Sequence, residues 1–79
     1  MSRRGIEERE ARALGEAGSV RSVSIERAPG DGWAVVLRVG MEERVVRSRR
    51  EDVRTWATLD SAAKWVARIG IAEAVVRIR

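Results

Sequence analysis

Arginines dominate the part of the chain that could do chemistry. Five of them fall within the eleven residues 44–54, and Trp56 follows two residues later. Phosphate groups bind such a cluster favourably because counterions are released, and an exposed indole can stack on a base. The candidate nucleic-acid contacts are Arg38, Arg44, Arg47, Arg49, Arg50, Arg54 and Trp56. The alternative is that neighbouring acids pair with the arginines and that Trp56 lies in the core.

The residue types that most catalysis needs are missing. The chain has no His and no Cys, which excludes Ser-His and Cys-His pairs and zinc sites built from those side chains. Glu51 and Asp52 are adjacent, but the arginines around them suit a solvated, neutralised loop rather than a general acid. Gly30-Asp31-Gly32 lacks the Lys-Ser/Thr of a phosphate-binding loop. We therefore expect no enzyme activity, no cofactor, no metal site and no small-molecule substrate.

Length and composition describe one small domain over residues 1–79. Lys and Arg number 16 against 12 Asp and Glu, which gives a net charge of +4. Lys64 is the single lysine, and a GC-rich genome supplies arginine wherever a cation is needed, so the basic balance is only a modest indication of nucleic-acid binding. No apolar run reaches the roughly 18 residues of a membrane span, and the N-terminus has no apolar signal sequence. We expect a cytoplasmic protein without membrane contact.

The N-terminal half of the chain predicts one helix and two strands. Residues 6–17 carry apolar positions at helical spacing with acids in the first turn, and Gly18 is the expected stop. Residues 20–27 alternate as a strand. After a Pro-Gly turn, residues 33–39 form the clearest strand of the chain.

A tight hairpin is predicted at Gly40-Met41, with Gly first as in a type II′ turn. Residues 42–48 then return as an antiparallel third strand. The opposed pairs in that register include Val35 with Val46 on one face, and Val36 with Val45 and Arg38 with Glu43 on the other. Both faces of the ladder thus gain a favourable cross-strand pair.

The C-terminal third predicts a loop, a helix and a strand. Residues 49–54 form the charged loop, and the helix follows at about 59–69. Thr58 is the expected N-cap, and Gly70 is the expected residue after the C-cap. Residues 73–78 alternate as a fourth strand.

These elements predict a single α+β domain with the order α-β-β-β-α-β. Its sheet is an antiparallel three-stranded meander plus a C-terminal strand, and both helices cover one face. The segment from the third strand through the second helix to the last strand resembles a crossover unit, which would be right-handed. The position of that strand in the sheet stays open. The other face of the sheet is expected to be exposed to solvent, with Val36 and Val45 on it.

One stretch resembles a known family. Trp56-Ala57-Thr58-Leu59-Asp60-Ser61-Ala62-Ala63, followed by an apolar helix and Gly70-Ile71, is similar to the partition-associated ParC-like proteins of plasmids and integrative elements. The similarity covers about residues 33–72. It implies a common fold and an accessory protein of a mobile element, tied to DNA maintenance or to a partner protein. It implies no catalytic residue.

Two functional hypotheses remain. In the leading one, the chain is an accessory module that binds DNA or nucleoprotein through its arginines. In the alternative, it is a protein-interaction adaptor, an inhibitor or a homo-oligomer that binds no nucleic acid. The alternative rests on the half-covered sheet and on the final strand, which would offer free backbone groups to another chain if it lay at the sheet edge.

Overall fold

The computed structural model describes residues 3–78 as a five-stranded mixed sheet with two helices. The strands are β1 (Arg4–Glu7), β2 (Ser22–Arg27), β3 (Trp33–Val39), β4 (Glu42–Arg47) and β5 (Val75–Arg77), and the helices are α1 (Glu8–Glu16) and α2 (Leu59–Arg68). The order along the chain is β-α-β-β-β-α-β. The predicted α+β class and the predicted succession of its later elements are therefore confirmed.

The sheet has the strand order β1-β4-β3-β2-β5. β3 is antiparallel to both of its neighbours, whereas β1 pairs with β4 and β5 pairs with β2 in parallel. Each helix therefore connects two parallel strands, α1 between β1 and β2 and α2 between β4 and β5. The open question of the last strand is answered, because β5 lies at one edge of the sheet.

The N-terminal helix predicted at residues 6–17 is wrong at its start. Residues 4–7 form a strand, and Ile6 lies opposite Val46 in a parallel ladder. Ile6 is buried in the main core, so an apolar residue at that position fits either element. The partner strand lies about forty residues away in the chain, and helical periodicity contains no information about it.

The turns and helix ends follow their predicted chemistry. The hairpin register sets Val36 opposite Val45, and the φ of Gly40 is +62°. The Thr58 side chain accepts a hydrogen bond from the Ser61 amide at 3.0 Å and caps α2. Both helices end in a Schellman arrangement, in which the residue after the C-cap is a glycine of positive φ.

Apolar side chains pack on both faces of the sheet. The main core lies between the helices and the sheet and includes Val35 and Leu37. A smaller cluster on the opposite face includes Val36 and Val45. The expectation that these two valines are exposed is wrong, because Val36 is 2% and Val45 is 8% exposed. Neither helix in residues 3–78 is long and apolar enough to cross a membrane.

Candidate functional site

The arginine-rich loop begins where β4 ends, at Arg47. Ser48 Oγ accepts a hydrogen bond from the Glu51 amide at 3.1 Å. The Arg54 amide then donates to the Val46 carbonyl at 2.8 Å. These bonds fold the loop back along β4, so its arginines lie beside the sheet.

Trp56 lies in the core. It is 6% exposed, its ring centroid is 5.2 Å from that of Trp65, and the Arg54 guanidinium lies over its ring at 4.5 Å. Two backbone hydrogen bonds of 2.8 Å join it to Trp33. Of the two alternatives for Trp56, the structure shows the place in the core, where a buried indole offers no free face to a base.

Gly32 allows this bridge to form. Its φ is +91°, and a Cβ there would lie 2.6 Å from the Trp56 carbonyl oxygen. The backbones of Trp33 and Trp56 can therefore approach only past a glycine. The Arg27 guanidinium lies over the Trp33 ring at 4.9 Å, so each of the two bridged indoles has an arginine above it.

Arg44 and Arg54 reach towards the first turn of α1. Arg44 lies 3.5 Å from Glu10 and is only 17% exposed, and it donates to the Gly5 carbonyl at 3.0 Å. Arg54 pairs with Glu8. These ion pairs tie β4 and the loop to α1. Two of the arginines predicted to bind phosphate are therefore already paired with carboxylates of the same chain.

Arg38 belongs to a network of charges on the sheet face away from the helices. It lies 3.4 Å from Glu43, and Arg3 bridges Glu43, at 3.3 Å, to Glu26. The hydrogen bond to Glu26 raises the pKa of the Arg3 guanidinium above its ordinary value, against an opposing effect of burial. Acids and arginines therefore alternate across this face.

Arg47, Arg49 and Arg50 are the remaining candidates. Arg47 Nε donates to the Ser48 carbonyl at 3.3 Å, and its side chain lies against Gly5, where a Cβ would come within 2.7 Å of its Cδ. Arg49 and Arg50 are exposed in the loop. Across residues 3–78, none of the three forms an ion pair. Among the predicted phosphate contacts, those without an ion pair are thus confined to one short segment.

Acids surround that segment as well. A groove of about 400 Å³ beside Arg47 and Arg49 is also lined by Glu7, Glu8 and Glu10. An anion in this groove would meet carboxylates as well as guanidiniums. In the part of the chain that the structure describes, no cluster of acids is arranged to hold a metal ion.

The β5 edge is the most apolar exposed feature of the described chain. Val75 is 61%, Val76 39% and Ile78 63% exposed. β5 pairs with β2 on one side only, so backbone groups on its outer side face solvent. The opposite edge differs, because β1 begins with Arg4, which pairs with Glu42.

A groove of about 300 Å³ runs between α2 and the chain that leads into β5. Small side chains line both of its walls, with Ala63 and Ala67 on α2 and Ala72 and Ala74 before β5. Ala63 is exposed, although it follows the buried Ala62. The groove thus joins the Ala63–Ala67 side of α2 to Val76 of β5.

The fold and surface define a small α+β domain with a mixed sheet, one charged edge and one apolar edge. The family model named ParC-like matches residues 6–79, which is nearly the whole chain and extends beyond the predicted residues 33–72. The chain belongs to the ParC-like family. Searches of curated proteins and of solved structures found no match.

Sequence reasoning missed two structural features. It did not assign β1, and it gave no role to Arg3, which the structure places across the charged sheet face. The apolar character of the final strand was visible in Val75, Val76 and Ile78. Only the strand order showed that this strand has a free side.

Proposed function

We propose that this chain is a non-enzymatic accessory module of DNA maintenance that acts by protein association at the β5 edge, without direct DNA binding. Membership of the ParC-like family supports the association with DNA maintenance. The observation that carries the protein-association part is the exposure of Val75, Val76 and Ile78 on an unpaired edge strand. Exposed strand edges bind a further strand through main-chain hydrogen bonds.

The charge distribution argues against a phosphate-binding surface. Phosphate binding gains its free energy from cations that exchange counterions for phosphates. Arg38, Arg44 and Arg54 already face carboxylates of the same chain. A nucleic acid would have to displace these acids, and their repulsion of its phosphates would remain. Arg49 and Arg50 are the exposed cations of the segment that are left.

A DNA titration tests the negative half of the proposal. We expect no binding of labelled duplex or single-stranded DNA at tens of micromolar protein in low salt. The Arg47→Gln/Arg49→Gln/Arg50→Gln variant should behave like the unaltered chain. Binding that weakens steeply with salt, and that this variant loses, would establish the nucleic-acid hypothesis instead.

A retention assay tests the positive half. The loss rate of the genetic element that encodes the chain is measured in its host with altered copies of the gene. We expect Val75→Lys/Ile78→Lys to raise the loss rate to that of a deletion, while Arg49→Gln/Arg50→Gln leaves it unchanged. Met41→Lys is the matched control, because Met41 is a 91% exposed apolar residue far from β5. The reverse pattern would contradict the proposal.

A further inference from the structure

We draw no further inference here: the strongest candidate, the alanine-lined groove between α2 and the exposed edge of β5, carries no proposal because nothing in the structure shows what covers it.

Discussion

Single side chains decide where α2 begins. The Thr58 hydroxyl accepts from the Ser61 amide at 3.0 Å, and the Ser61 hydroxyl donates back to the Thr58 carbonyl at 2.9 Å. Thr58 has an extended backbone, with φ −129° and ψ 154°, as an N-cap requires. The cap fixes the first turn of the helix that carries Trp65 and Val66 into the core.

Replacing the capping hydroxyl should therefore destabilise the whole domain. We expect Thr58→Ala to lower the free energy of unfolding by about 1 kcal/mol, measured by urea denaturation. Thr58→Ser retains the oxygen and should cost much less. Thr55→Ala removes the same groups from an exposed loop position and controls for the loss of threonine itself. Equal effects of the two alanine variants would contradict the capping role.

At the scale of elements, the end of α1 meets the end of α2 at Gly15. A Cβ there would lie 2.2 Å from the Ile69 carbonyl oxygen, at the C-terminal end of α2. Helix propensity alone favours Ala over Gly by about 1 kcal/mol, so sequence reasoning treats Gly15 as a weakness of α1. The structure shows that the glycine allows the ends of α1 and α2 to meet.

Gly15→Ala should consequently destabilise the domain, although alanine has the higher helix propensity. We expect a loss of roughly 1–3 kcal/mol in the free energy of unfolding, because an added methyl group forces the helices apart. The measurement is thermal and urea denaturation followed by circular dichroism. Ala13→Gly, at an exposed position of the same helix, calibrates the propensity of α1 and should cost about 1 kcal/mol. A stabilised Gly15→Ala chain would show that the helices can separate freely.

At the scale of the whole molecule, a domain of this size has little stability to lose. About 5 kcal/mol is typical, and the core is thin enough that each strand of the sheet contributes a substantial part. β1 contributes Ile6, which is 1% exposed and packs with the helices and with β4. The N-terminal strand is thus part of the folding unit.

Ile6→Ala should bring the domain close to unfolding at room temperature. Truncation of a buried isoleucine removes roughly 2–5 kcal/mol, a large share of the total. Urea denaturation followed by tryptophan fluorescence measures the loss, since Trp56 and Trp65 both lie in the same core. Met41→Ala, at an exposed turn, should leave the transition unchanged. An Ile6→Ala chain as stable as the unaltered one would exclude β1 from the core.

The sequence by itself determined the features that depend on residues close together in the chain. The Gly40-Met41 turn fixed the register of β3 and β4, since a two-residue loop leaves no freedom of alignment. Thr58 and Gly70 marked the ends of α2, because caps act within one turn. The motif from Trp56 to Ala63 also identified the family, although its residues are mostly structural.

Only the tertiary structure decided the features that join distant residues. Arg44 and Glu10 are separated by 34 positions, and β1 pairs with a strand some forty residues later. Alternation and charge contain no information about such partners, because any acid of the chain can neutralise any arginine. The fate of the arginine cluster, the burial of Trp56 and the free edge of β5 were settled by packing. Because packing pairs most of the arginines with acids and leaves β5 exposed, the apolar strand is the stronger candidate for function than the charged loop.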